Sequence, residues 1–195
     1  MQTVKAALAR NEITMSLNTP LLPALTLLGN AALLQPPTLA TFCSSQAPAG
    51  VLLHVHDLAQ RWRHEERVIM SGFQSIVEQE ALTVLLTGRA PVVVWLARSM
   101  VQQPPAPLRA ALAAQRLLLV SPFPAGVRRQ STATAQTRNR LCAHHADVVL
   151  IAHAAPGGKV EALALELLAA GKHVYTLDHP ANASLVTRGA EFLTD

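Results

Sequence analysis

Between Thr38 and Leu177 the chain alternates short, unbroken apolar runs with segments of helical periodicity. Six runs read as strands: Leu39–Phe42, Val68–Met70, Pro91–Leu96, Leu117–Val120, Val148–Ala152 and His173–Leu177. A strand that is apolar at every position leaves no face for water. Such strands belong to a parallel sheet with helices on both sides. At 195 residues and 50% hydrophobic, the chain has material for one core of this kind. The expectation is a doubly wound, Rossmann-like α/β domain over residues 38–195. A small helical extension is expected over residues 1–37, where Leu21, Leu22, Leu25 and Leu28 fall at helical spacing and Pro36-Pro37 closes the segment. Pro180–Leu193 reads as a loop and a short helix.

Ligands of doubly wound sheets bind at the carboxyl ends of the strands. The residues predicted there are Ser44 and Ser45 after the first run, and Ser71, Gly72, Gln74 and Ser75 after the second. Arg98 follows the third, and Gly157, Gly158 and Lys159 follow the fifth. The last group joins a strand to a helix, so the free N–H groups of the first helical turn and the positive end of its dipole face the turn. Glycine there lets a ligand approach the backbone.

The helix before that strand carries Arg138, Asn139 and Arg140. Helix residues two apart point to different faces, so one arginine is expected to face the ligand, and Arg138 is the choice. Glu161, one turn into the next helix, admits two readings. It is a general acid/base or ribose-hydroxyl acceptor, or it is a carboxylate that suits a helix amino terminus. Glu78 and Glu80 read as surface charges.

The placement of charge adds to this. No acidic residue lies between Glu80 and Asp147, and that interval holds eight arginines: Arg89, Arg98, Arg109, Arg116, Arg128, Arg129, Arg138 and Arg140. Guanidinium groups pair well with phosphate, so a polyanion or phosphorylated ligand is indicated. Phe73, Trp95 and Phe123 are the aromatic residues near the predicted loops, which makes base stacking a minor term.

Several classes are disfavoured. There is no GxGxxG and no Walker loop, so no nucleotide cofactor is expected. The histidines and the two cysteines lack metal-ligand or redox spacing, which points to a reducing cytoplasm and no metal. No nucleophile elbow is present. No apolar run reaches about 18 residues, so no membrane span is expected.

The order of these pieces resembles the DprA/Smf family of DNA-processing proteins. The resemblance runs through Leu39–Ser45, Val68-Ile69-Met70-Ser71-Gly72-Phe73, Thr137-Arg138-Asn139-Arg140-Leu141, the Gly157-Gly158 turn and Gly171–Leu177. Cys43 and Ser45 stand where that family has glycine and arginine. The resemblance implies an extended Rossmann fold and a basic pocket for single-stranded DNA without sequence readout. It also implies a role in DNA uptake and RecA loading. The apolar extension and the edge strands, separately, lead to the expectation of a homodimer. A second resemblance, through Pro156–Glu161, is to the glycine loop of LOG-type phosphoribohydrolases. It implies a nucleoside-monophosphate ligand, with Glu161 and an arginine acting at the N-glycosidic bond.

Overall fold

A computed structural model of the chain describes residues 24–35 and 37–194. Its centre is an eight-stranded sheet ordered β1-β5-β4-β3-β2-β6-β7-β8. The strands are β1 (Thr26–Gly29), β2 (Thr38–Cys43), β3 (Val68–Ser71), β4 (Val92–Trp95), β5 (Leu117–Ser121), β6 (Val148–His153), β7 (Val174–Thr176) and β8 (Glu191–Phe192). All neighbours are parallel except β1, which runs antiparallel along β5.

Side chains along the strands alternate between two cores, as a period of two requires. Leu39, Ile69, Val92, Val94, Leu117 and Leu119 face one layer, made of α1 (Ala49–Trp62), α2 (Ile76–Leu86) and α3 (Ala106–Ala113). Ala40, Phe42, Met70, Val93, Trp95, Leu118 and Val120 face the other, made of α4 (Thr132–His145), α5 (Lys159–Ala169) and α6 (Ala183–Thr187). The doubly wound fold expected from the apolar runs is therefore present. Among the described residues no helix is long and apolar enough to cross a membrane.

The strand order reverses between β2 and β6. Connections from β2 run outward through β3, β4 and β5, and those from β6 run the other way. At the amino end of this pair the strands are tied shut. Thr38 donates its backbone N–H and its hydroxyl to Asp147 Oδ2, both at 2.8 Å, and its hydroxyl accepts from Asp147 N–H at 2.9 Å. At the carboxyl end the register slips, with Phe42 opposite Ile151 but Cys43 opposite His153. A bulge bends the strand and disrupts the ladder locally, and beyond it Ser44 N–H still donates to the His153 carbonyl at 2.9 Å. The crevice lies at the carboxyl end because the connections of β2 and β6 leave in opposite directions there, the switch point where ligands of such sheets bind.

Both edges depart from the sequence expectation. The helical spacing over Leu25 and Leu28 is overturned: residues 26–29 form β1, and Ala31–Leu34 form a short 3-10 turn. The remainder of that predicted helical segment, up to Pro23, lies outside the described residues. Pro23 and Gly29 leave too little uninterrupted chain between them for a stable helix. The free edge of β5 offers backbone partners instead, from Thr26 opposite Ser121 to Gly29 opposite Leu118. Gly29 is needed there, because its φ is +116° and a Cβ would strike the Leu117 carbonyl. At the other edge, Pro180–Leu193 contains the expected short helix and also β8, paired with β7.

Candidate nucleic-acid interface

Three helices point their amino termini into the crevice. Ser75, Ser131 and Gly158 are the N-caps of α2, α4 and α5, and all three line one cleft of about 530 Å³. Ser75 and Ser131 close capping boxes, so their helices satisfy part of their own orphan donors. Gly158 has no side chain to cap with, and the first turn of α5 stays open. Three positive helix ends around one cavity favour negative charge there without a formal positive charge.

The glycine turn is shaped for this. Gly157 sits at φ +70°, and a Cβ on Gly158 would press on the Ala155 carbonyl at 2.8 Å. The Glu161 carboxylate accepts from Gly157 N–H at 2.7 Å. In this structure it therefore fastens the turn, as a first-turn carboxylate does. Lys159 reaches Thr132 across the mouth at 3.3 Å.

Glu78 organises the floor, and it is not a surface charge. It is 6% exposed. One carboxylate oxygen accepts from Cys43 N–H at 2.9 Å, and the other from Gln74 and Ser75 N–H at 2.7 and 3.3 Å. A single side chain thus binds the loop after β2 to the loop after β3. The second loop needs the support, because Phe73 holds a left-handed φ of +50° that bulky residues avoid. Burial pushes the Glu78 carboxyl above its ordinary range, against the pull of those N–H groups and of Arg138. Ser75-x-x-Glu78 is a capping-box spacing, so the sequence carried a signal for this residue.

Arg138 is the buried member of its pair, at 2% exposed. It donates to the Trp95 carbonyl at 2.9 Å, and burial lowers its affinity for the proton while Glu78 raises it. Arg140 faces away and bridges to Glu166 at 2.7 Å. The Arg138 guanidinium lies over Gly72, where an added Cβ would overlap it. Gly72→Ala is therefore expected to destabilise the fold by about 1–3 kcal/mol, the usual cost of overpacking. Thermal or urea unfolding checks this, and a variant as stable as the parent would contradict the packing described.

The predicted residues divide as follows. Ser44, Ser45, Gln74, Ser75, Arg138, Asn139, Gly158 and Lys159 meet around the cleft. Ser44 is half committed, since its hydroxyl accepts from Ala155 N–H at 2.9 Å. Ser71 and Gly72 are buried and do not line it, and the Ser71 hydroxyl accepts from Phe73 N–H. Gly157 sets the turn without lining the cleft, and Arg140 is outside it. Sequence reasoning missed Gln46, Gln130, Ser131, Thr132 and Gln136, which complete the wall.

Arg98, Arg128 and Arg129 line an adjoining basin of about 500 Å³, which shares Gln74 and Gln130 with the cleft. Their state separates them from the other five arginines of the acid-free interval. Arg89 donates to the His64 carbonyl, Arg109 to that of Pro104, and Arg116 to those of Leu85 and Leu86 at the end of α2 and of Ala90 in the loop beyond. Arg138 and Arg140 are held as described. Among the described residues, the guanidinium groups of Arg98, Arg128 and Arg129 have no protein hydrogen-bond or ion-pair partner. All three stand on the same groove.

The model of the DNA recombination-mediator protein A family matches residues 11–195. No curated protein matches the sequence. The fold is similar to DNA processing protein A of Streptococcus pneumoniae, with a TM-score of 0.73 at 19% identity over 88% of this chain. The match spans 63% of the length of that protein. It is similar also to DNA processing protein A of Helicobacter pylori, whose structure was described for its single-stranded DNA binding mode. There the TM-score is 0.74 at 21% identity, over 92% of this chain and 85% of the other. A more distant likeness is to the molybdenum cofactor binding protein of Rippkaea orientalis, with a TM-score of 0.58 at 14% identity, over 83% and 91% of the two chains.

Proposed function

The chain belongs to the DNA recombination-mediator protein A family of DNA-processing proteins, and from that membership we propose that it binds single-stranded DNA, without sequence readout, along the carboxyl edge of its sheet. The observation that supports this most is the gathering of Arg98, Arg128 and Arg129, each without a protein partner, beside a cleft ringed by three helix amino termini. Phosphates supply the partners these groups lack. The single-strand binding described for the Helicobacter pylori relative agrees with this reading.

Preference for a single strand follows from shape. The helix ends lie inside a crevice, so a phosphate must enter it to reach them. A flexible strand can follow such a path, whereas duplex DNA resists bending over tens of base pairs. Fluorescence anisotropy with a labelled oligonucleotide, alone and annealed to its complement, is expected to favour the single strand by about tenfold or more. Equal affinity for both would remove the proposal. A nucleoside monophosphate that competes as well as the oligonucleotide would replace the polymer with a mononucleotide ligand.

A further inference from the structure

Beyond Arg98 and Arg128 the groove continues into an outer basin of about 820 Å³. Its walls are the loop after β4, the loop after β5, and the antiparallel strand β1. Arg98 and Arg128 line both this basin and the one before it. The three cavities thus adjoin along one sheet edge, through Gln74 and Gln130 and then through the two arginines.

The outer basin differs in chemistry from the switch-point cleft. Leu28, Met100 and Phe123 give it an apolar wall, and the two arginines stand at its junction with the rest of the groove. Among the described residues that line it, none is acidic. An apolar wall beside unpartnered cations suits a ligand with a flat apolar face and an anionic link, which is what an unpaired nucleotide presents.

Of the aromatic residues of the chain, Phe42, Trp62, Phe73 and Trp95 are all at most 4% exposed in the core. Tyr175 is half-buried in β7, and Phe192 lies on β8 at the opposite edge of the sheet. Phe123 is therefore the one aromatic ring that lines the groove. Two prolines flank it, Pro122 and Pro124, and proline restricts the backbone on both sides.

The basin is held in shape before any ligand arrives. The Ser121 hydroxyl, fully buried, donates to the Arg98 carbonyl at 2.7 Å and accepts from Phe123 N–H at 3.2 Å. Ser99 N–H donates to the Val127 carbonyl at 2.7 Å. One serine thus fixes the backbone of Arg98 relative to that of Phe123, and a second bond joins the two loops. A site fixed in advance loses less entropy on binding.

We propose that this basin is a base-stacking subsite, in which Phe123 stacks on an unpaired base of the bound strand and Arg98 and Arg128 hold the phosphates that lead to it. The subsite rests on the single-strand reading above, and it adds the path of the strand: from the β2–β6 crevice, across β3, β4 and β5, to β1. It also makes stacking a single, localised contact instead of a diffuse minor term.

The test is a length series. Oligothymidylates of about 4 to about 16 nucleotides, the span that single-strand sites take, are titrated by anisotropy against the parent chain, Phe123→Ala and Phe123→Trp. The parent is expected to gain affinity until the strand reaches the outer basin. Phe123→Ala is expected to lose about tenfold for the long oligomers and to match the parent for the shortest. Phe123→Trp is expected to keep the affinity, and its added emission to be quenched by long oligomers and not by short ones. Parent binding that is tight while Phe123→Ala is unchanged at every length overturns the subsite and leaves the function standing. So does an equal loss at every length, or a tryptophan at position 123 that no oligomer quenches. A parent that binds no oligomer at low salt overturns the function itself.

Discussion

Glu78→Ala is expected to cost about 3–5 kcal/mol of stability, the largest effect of any single exchange in the site. The change strips partners from three backbone N–H groups, those of Cys43, Gln74 and Ser75. It also leaves the buried Arg138 without the nearby negative charge that opposes its desolvation. The loop after β3 would then hold the left-handed Phe73 with less support. Urea unfolding measures the loss, and a change under about 1 kcal/mol would show that the two loops do not depend on this carboxylate.

The pH dependence of that gap has a definite sign. The folded pKa of Glu78 lies above its unfolded value. The folded state therefore keeps a proton that the unfolded chain releases, and unfolding becomes easier as pH rises through that window. The advantage of the parent over Glu78→Ala should be full at and below about pH 4, the unfolded carboxylate value. It should narrow as pH rises towards the raised pKa. A gap that widened with pH would mean that hydrogen bonding to the carboxylate outweighs its burial.

How far the sequence speaks depends on what kind of physics a residue obeys. The six inner strands were legible because each is apolar on both faces, and that property is local. The edge strands were not. Thr26–Gly29 is four residues and Glu191–Phe192 two, too short for a period to form, and their pairing depends on edges that exist only after folding. The Gly157-Gly158 turn was placed correctly by its strand–turn–helix context.

The arginines show the limit most clearly. Sequence singles out Arg98 by its strand end and Arg138 by its helix face, but it carries no sign that Arg116 is consumed by carbonyls of Leu85, Leu86 and Ala90, brought to it from the end of α2 and the loop beyond. Arg138 and Arg140, two residues apart, part company as helix geometry requires, one into the core and one to Glu166. Which guanidinium groups stay without partners is a property of the whole fold. Glu78 was misread for a related reason. A glutamate in an amphipathic segment is usually solvated, and only the meeting of two loops over it removes the water.

Replacing Arg98, Arg128 and Arg129 together by alanine is expected to weaken single-strand binding on the order of a hundredfold while leaving stability within about 0.5 kcal/mol. The dissociation follows from their state, since no guanidinium of the three has a protein hydrogen bond or ion pair to lose. The same exchange at Arg89, Arg109 and Arg116 should do the reverse, because those three hold carbonyls of the fold. Anisotropy and urea unfolding on both triple variants compare the two. Loss of binding in the second set with the first unaffected would place the interface elsewhere.

A strand held by its phosphates on this groove must bind in a salt-dependent way, and a salt titration of the parent chain measures that dependence. Each phosphate contact releases counterions, so log K should fall with log salt at about −0.7 per contact for a single strand. Three arginine contacts alone predict a slope near −2, and the triple variant should be flatter by about that amount. Absence of binding at low salt, or binding that salt leaves unchanged, would contradict the account.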